Sequence, residues 1–313
     1  MMHDSNHNQQ KTQNEGPAIA EAVAILEVGP RDGLQFEKKT LPTSLKVALI
    51  TDLVDAGLKE IQVASFVNPG VVPQMADAEA LVAQLPIRSG VVYSGLVLNV
   101  KGVARAAAAG LRSVEISVSA SEMHSRKNVN MTVKESMAQA GEMIRISKEN
   151  GMAVRAGIQC AFGFDDEKII PFHRIRHIVE SYMEQEIDIL CLSDTTGMAD
   201  PGKIDAVMEK LRPVVGDLDM ALHFHDTRGL GLVNVQTALQ YGIRHFDASL
   251  AGMGGCPFVT GAAGNIATED LANFLHTCHM ETGIDIKKLS RCSRRLEVFF
   301  EKRFPGRMHR LMV

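Results

Sequence analysis

The chain has 313 residues, of which 45% are hydrophobic and 22% charged, with a formal net charge of -4. That balance fits a soluble globular protein with a large core, and it offers no global basic field to recruit nucleic acid. Cys160, Cys191, Cys256, Cys278 and Cys292 are odd in number and show no CxxC spacing, so a disulfide framework is not expected; reduced thiols in a cytoplasmic setting are.

Residues 1–20 begin MMHDSNHNQQ and are polar throughout. They lack the apolar core of a secretory signal and are expected to form a disordered tail. Residues 21–313 then read as one catalytic domain. No apolar run is long enough to span a membrane. Strands are expected at Ala22–Val28, Glu60–Ser65, Val91–Leu98, Ser113–Ser119, Ala153–Cys160, Asp188–Leu192, Met220–His225 and His245–Ser249. Between them, Ser44–Ala56, Val133–Glu149, Lys203–Leu211 and Leu232–Gln240 carry apolar residues at helical spacing. Glycine stops follow several of these patterns, as at Ala56-Gly57 and Tyr241-Gly242. Strand–helix alternation implies a parallel sheet, and eight such units favour closure into a (β/α)8 TIM barrel. An open doubly wound sheet is the alternative, but no GxGxxG follows the first strand. An extra C-terminal helix is expected over Ile286–Phe304. Its Val298, Phe299, Phe300 and Phe304 are expected to cover the barrel or a subunit contact.

Barrel active sites lie where strands run into their βα loops. His223 and His225 close the seventh strand; residues i and i+2 share a face about 7 Å apart, so both imidazoles can reach one cation. Two hydrogen-bonded polar residues at a strand end would look the same. Asp32, at the end of the first strand, adds a hard carboxylate oxygen, and Asn265 a neutral carbonyl oxygen. Two nitrogens and two oxygens suit Mg²⁺ or Mn²⁺, with Zn²⁺ or Co²⁺ also feasible. Arg31 adjoins Asp32 and could stabilise oxygen charge on a carbonyl or enolate, or form a barrel-mouth salt bridge. Cys256 sits in the glycine-rich run GMGGCP, where a thiol could serve as acid or base or be incidental. Cys160 and Cys191 fall in apolar strands and read as core.

Six segments together carry a resemblance: EVGPRDGLQ (Glu27–Gln35), ASFVNPGVVPQMAD (Ala64–Asp77), ASEMHSRKNVN (Ala120–Asn130), LSDTTG (Leu192–Gly197), HFHDT (His223–Thr227) and AGMGGCPFVTGAAGNIATEDL (Ala251–Leu271). From about Ile25 to Leu289 the chain resembles the 3-hydroxy-3-methylglutaryl-CoA lyase family of metal-dependent barrel lyases and Claisen-type synthases. The resemblance implies retro-Claisen cleavage of a 3-hydroxyacyl-CoA to an acyl-CoA such as acetyl-CoA and a ketone or keto acid. It implies a metal held by Asp32, His223, His225 and Asn265 on the substrate hydroxyl and a carboxylate, with Arg31 on the enolate oxygen. Cys256 becomes the mobile-loop acid or base, Asp194 a second proton handler, and Lys38, Lys127 and Asn128 the coenzyme A contacts. The partner is then a small acyl-CoA, with neither nucleic acid nor membrane, and a homo-oligomer is expected.

The pattern also departs from the family. Gln62 stands where a carboxylate is usual, in Ile61-Gln62-Val63-Ala64-Ser65-Phe66. Gly157 and Gln159 replace a tyrosine and a serine, and the run after the histidines reads HDTRGLGLVN, with Arg228 and Leu230. Gln62, Ser65, Gly157, Gln159 and Arg228 are therefore the expected substrate-selecting set, with a bulkier or differently substituted acyl group as the expected consequence. A condensing synthase of the isopropylmalate or homocitrate type is an alternative, but such enzymes usually read RDGEQ or RDGNQ and HxHND. A non-catalytic CoA- or metal-binding relative is a further alternative, supported by Gln62.

Overall fold

The computed structural model describes residues 21–165, 167–255 and 263–312. The 1–20 tail and Cys256 therefore lie outside the described residues. Eight parallel strands run in chain order around a closed barrel: β1 (Ala24–Glu27), β2 (Glu60–Ser65), β3 (Val92–Leu96), β4 (Ser113–Ser119), β5 (Ala153–Gln159), β6 (Ile189–Ser193), β7 (Asp219–His223) and β8 (His245–Ala248). Pairing of β1 with β8, from Ala24 opposite His245 to Glu27 opposite Ala248, closes the ring and excludes an open sheet.

Alternation along the strands separates core from site. On β4 and β5, Val114, Ile116, Val118, Val154, Ala156 and Ile158 are buried in the hydrophobic core. Glu115, Ser117 and Ser119 alternate with the first set, and Arg155, Gly157 and Gln159 with the second, so these polar and small residues share the opposite face. Between β2 and β3 the register shifts at Gln62 and Ala64, a bulge that re-aims the end of β2.

The helices form where apolar spacing and caps agree. The helix Val133–Glu149 keeps its expected bounds and opens on a capping box in which the Thr132 and Glu135 side chains each bond the other's backbone N–H. The segment expected at Lys203–Leu211 is longer, Pro201–Val215, because Asp200 caps it and Pro201 suits the first turn. After the helix Thr43–Asp55 the chain turns at Gly57, whose φ is 104°. A Cβ there would lie 2.0 Å from the Gly283 carbonyl oxygen, so only glycine fits.

The C-terminal helix is shorter than expected. It runs Ile286–Phe300 and stops where Glu301 takes a left-handed φ of 53°. Leu289, Cys292 and Leu296 are its buried face, and Phe304, beyond the helix, is buried edge-on to Phe300. Val298 points outward at 78% exposure, so it does not cover the barrel. Among the described residues no helix is long and apolar enough to cross a membrane.

Candidate metal and catalytic site

The turn after β1 is a short wide helix, Gly29–Gly33, held by Glu27. Glu27 accepts from the Gly29 N–H at 2.7 Å and the Leu250 N–H at 2.9 Å, while the Thr268 hydroxyl sits at 2.6 Å. This buried carboxyl thus ties the first βα turn to the chain after β8, and burial pushes its pKa up to about 8. The turn carries Arg31 and Asp32 into the barrel mouth, both buried.

Asp32, His223 and His225 offer ligand atoms that all lie within 4.8 Å of one another. Asn265 joins them: its backbone bridges His225, and its Nδ2 donates to Asp32 Oδ2 at 2.7 Å and to the Met253 carbonyl at 3.0 Å. That leaves Asn265 Oδ1 buried without a hydrogen-bond partner, and His225 Nδ1 likewise. His223 Nδ1 faces Asp247 Oδ2 at 3.1 Å, which orients the ring with Nε2 as its remaining nitrogen. A carboxylate, two imidazoles and an orphaned amide oxygen are the donor set a divalent ion requires, so these residues fit one.

The electrostatics agree with ligation. Burial opposes the charge on Asp32, but Arg31, the two histidines and the Asn265 hydrogen bond outweigh it and hold the carboxylate below its usual range. Burial, with the charge of His223, pushes His225 down to about 3, the neutral form that binds metal. Burial also works against charge on His223, yet the bond and charge of Asp247, with Asp32, raise it.

Arg31 is fixed from two sides. Its Nη1 donates to Asp32 Oδ1 at 2.6 Å and its Nε to Gln62 Oε1. Nη2 makes no hydrogen bond among the described residues and is available to a ligand. Asp194, at the end of β6, accepts from the Met198 and Ala199 N–H groups on Oδ1, at 2.6 and 3.0 Å. Its Oδ2 is buried without a partner, and burial raises its pKa to about 6. Over the site passes Gly254, with φ 126°; a Cβ there would lie 2.5 Å from Asn265 Nδ2 and 3.7 Å from Asp32 Oδ2. The glycine-rich run thus comes directly over the candidate ligands before it enters residues 256–262, which carry Cys256.

The HMGL-like family model matches residues 22–296. The chain belongs to the HMGL-like family. It is 37% identical over 285 residues to hydroxymethylglutaryl-CoA lyase YngG of Bacillus subtilis, a match covering 91% of this chain and 95% of that one. It is 39% identical over 271 residues to the mitochondrial hydroxymethylglutaryl-CoA lyase of Arabidopsis thaliana, covering 87% of this chain but 58% of that longer relative. Among solved structures, the hydroxymethylglutaryl-CoA lyase of Pseudomonas aeruginosa superposes with a TM-score of 0.90 at 33% identity, covering 94% of this chain and 98% of that one. An HMG-CoA lyase of Acinetobacter baumannii, in complex with coenzyme A and 3-methylmalate, matches with a TM-score of 0.87 at 35% identity, covering 92% of this chain and 94% of that one.

Other expected residues of this HMGL-like chain are placed differently from the metal cluster. Arg228 is exposed, and its Nη1 donates to the carbonyls of Thr196 and Gly197 at 2.9 and 2.5 Å, bracing the loop after β6. Gly157 backs onto Ser117: a Cβ at 157 would lie 2.3 Å from Ser117 Oγ. Ser65 is buried with its hydroxyl unpartnered, and Gln159, at the end of β5, is partly exposed. Lys38 and Asn128 are exposed; Lys127 pairs with Asp165 at 3.5 Å and lies over the Phe164 ring.

Sequence reasoning missed Glu27, Glu115, Arg155 and Asp247. Gln62 Nε2 donates to Glu115 Oε2 at 2.7 Å, and the same oxygen lies 3.7 Å from Arg155 Nε. Arg155 Nη2 reaches Asp247 Oδ1 at 2.6 Å, and Asp247 holds His223. A buried polar chain therefore runs through the barrel interior from Arg31 to His223. The signal was present: Glu115 and Arg155 are charges inside apolar strands, in phase with Ser117 and Gly157.

Proposed function

We propose that this chain is a metal-dependent carbon–carbon lyase that cleaves a 3-hydroxy-3-substituted acyl-CoA of the 3-hydroxy-3-methylglutaryl-CoA type, with residues from 21 onward working as one catalytic domain. The observation that carries this reading is the meeting of Arg31 and Asp32, from the first βα turn, with His223, His225 and Asn265 in one buried cluster. Its membership of the HMGL-like family and its likeness to hydroxymethylglutaryl-CoA lyases support it.

Asp32, His223, His225 and Asn265 would hold the divalent ion, Mg²⁺ or Mn²⁺ by the hardness of the oxygen donors. Bound there, the ion would supply Lewis-acid polarisation of the substrate oxygens. The rest falls to the side chains. The bond between C2 and C3 breaks, and its electron pair moves into the thioester carbonyl. Arg31 Nη2 donates to that oxygen as enolate charge develops. The 3-hydroxyl loses its proton as C3 becomes a ketone carbonyl. Asp194, with a near-neutral pKa and an unpartnered Oδ2, is suited to receive it. Cys256 is the proposed donor that returns a proton to C2, giving the acyl-CoA. Lys38, Lys127 and Asn128 are proposed to meet the coenzyme A portion, with Ser65, Gly157, Gln159 and Arg228 shaping acyl selection.

The test is a metal-dependent assay over branched 3-hydroxyacyl-CoA esters, following acetyl-CoA and ketone products. Chelator-sensitive release of both products is expected. Turnover that is indifferent to metal, or no cleavage across the panel, would overturn the proposal.

A further inference from the structure

We infer that Glu115 is a positioning residue for Arg31, acting through the orientation of the Gln62 amide; this rests on the reading of Arg31 as the enolate donor. Arg31, Gln62 and Glu115 are all buried, Gln62 completely. A guanidinium can only donate and a carboxylate can only accept. Gln62 lies between one of each. Its Oε1 takes the Arg31 Nε–H, and its Nε2 gives a hydrogen to Glu115 Oε2 at 2.7 Å. An amide satisfies both neighbours in one orientation and fails both if turned over. Glu115 is itself held: Ser117 Oγ donates to Oε1 at 3.2 Å, and Arg155 Nε stands 3.7 Å from Oε2.

Two consequences follow from this polarity. With Glu115 neutral and amide-like, Gln62 loses the partner that forbids its turned orientation, and Arg31 loses a fixed acceptor. With a carboxylate at 62 and Glu115 unchanged, two acceptors face each other where one hydrogen bond now spans 2.7 Å. Gln62 and Glu115 are thus a matched pair: the donor at 62 requires the acceptor at 115. Exchanging both restores the pattern, since a carboxylate at position 62 would accept from Arg31 and from an amide at position 115. Glu115 touches neither the candidate metal ligands nor the reacting atoms. Its hydrogen bond to Gln62 is the link by which it bears on where Arg31 points.

The experiment is a double-mutant cycle with Gln62→Glu, Glu115→Gln and the exchanged pair, on the full chain loaded with Mg²⁺. Steady-state kcat and KM are measured on 3-hydroxy-3-methylglutaryl-CoA. The Arg31 Nε–H signal is followed in ¹⁵N-labelled protein without substrate, assigned by its loss in Arg31→Lys. Each single variant is expected to lower kcat about 10-fold or more with KM within about 3-fold, and to lose the protected Arg31 Nε–H signal. The exchanged pair is expected to recover both, to within about 3-fold in kcat. A purely structural role predicts lower melting temperatures with unchanged kcat and an unchanged Nε–H signal, and that result would overturn the inference. So would an exchanged pair no better than the sum of the singles. If Glu115→Gln does not fold, Glu115→Asp, which keeps the acceptor but shortens its reach, is expected to give a smaller loss of the same two readouts; an unaltered signal and kcat there would refute the role. If wild type leaves the ester intact, the lyase reading fails on that substrate, while the Nε–H cycle still decides the fate of this inference.

Discussion

His223 Nδ1 stands 3.1 Å from Asp247 Oδ2 on the neighbouring strand β8, and the other Asp247 oxygen takes the Arg155 Nη2 at 2.6 Å. One carboxylate therefore orients a candidate metal ligand and neutralises a buried guanidinium. Asp247→Asn keeps the shape and removes the charge. Metal affinity is expected to fall about 10- to 100-fold, as for other partners that orient a ligating histidine. Stability should fall too, because Arg155 loses its closest counter-charge in a buried setting. His223→Ala and His225→Ala should abolish tight divalent-ion binding yet leave the barrel folded, since both residues sit at strand ends. Calorimetric titration with Mn²⁺ checks all three; unchanged affinity in both alanine variants would remove these histidines from the metal site.

Arg31→Lys retains a positive charge and loses the planar fork that serves Gln62 and Asp32 together. An ammonium cannot hold both partners and still present a donor in the same direction. Turnover is expected to fall about 10²-fold or more, as when an oxyanion donor is lost, with a modest loss of substrate binding. Near wild-type kcat would mean that Arg31 serves only as a salt-bridge partner of Asp32.

Glu27 gives the fold a pH dependence with a definite sign. Its folded pKa is raised to about 8 from an ordinary 4.5, chiefly by burial. Below 4.5 the carboxyl is protonated in both states and costs the fold no ionisation energy. Between 4.5 and 8 the unfolded chain has released a proton that the folded chain keeps, so stability falls as pH rises, by up to about 1.4 kcal/mol per pH unit. Above 8 both states are ionised and the loss is complete. Glu27→Gln keeps an acceptor for the Gly29 and Leu250 N–H groups and can donate to the Thr268 hydroxyl, as the protonated acid can. Urea melts at pH 5.5 and 8 should show a smaller difference in the variant than in wild type. Equal differences would mean that Glu27 does not hold its proton in the fold.

The barrel was legible because its strands are short apolar runs bounded by caps and glycines, and each expected strand overlaps an observed one. The cluster was legible for a related reason: His223 and His225 share a strand face, while Asp32 and Asn265 follow strands that meet at the same rim. What escaped was the polar chain beneath them. Alternation puts Glu115 and Arg155 in phase with Ser117 and Gly157, but it does not give their pairing, because their partners come from strands distant in sequence, as with Arg155 and Asp247. Arg228 shows the same limit from the other side: its place after the paired histidines does not announce that its guanidinium holds the Thr196 and Gly197 carbonyls. The helix over Ile286–Phe300 ends early because Glu301 turns left-handed, a choice that the aromatic run Phe299–Phe300 does not announce.

On the proposed function, the acyl group meets the wall between β4 and β5. Gly157 contributes no side chain, and the space a Cβ would enter is held by the Ser117 hydroxyl, 2.3 Å from that point. Ser117 can rotate, so the wall yields to a ligand more readily than a fixed side chain at 157 would. A 3-substituent larger than methyl is therefore expected to be cleaved with kcat/KM at least comparable to that of 3-hydroxy-3-methylglutaryl-CoA. Gly157→Ala forces Ser117 aside and makes the wall rigid. It should lower stability by about 1–3 kcal/mol through overpacking, and lower the preference for the larger ester by about 10-fold or more. Adding Ser117→Ala removes the hydroxyl that clashes, which should recover stability but not the preference, because the new methyl group remains. The measurement is kcat/KM for the two esters across wild type and both variants. A substrate ratio that stays constant would show that this wall does not touch the acyl group, and selection would then rest with Gln159 and Ser65 at the strand ends.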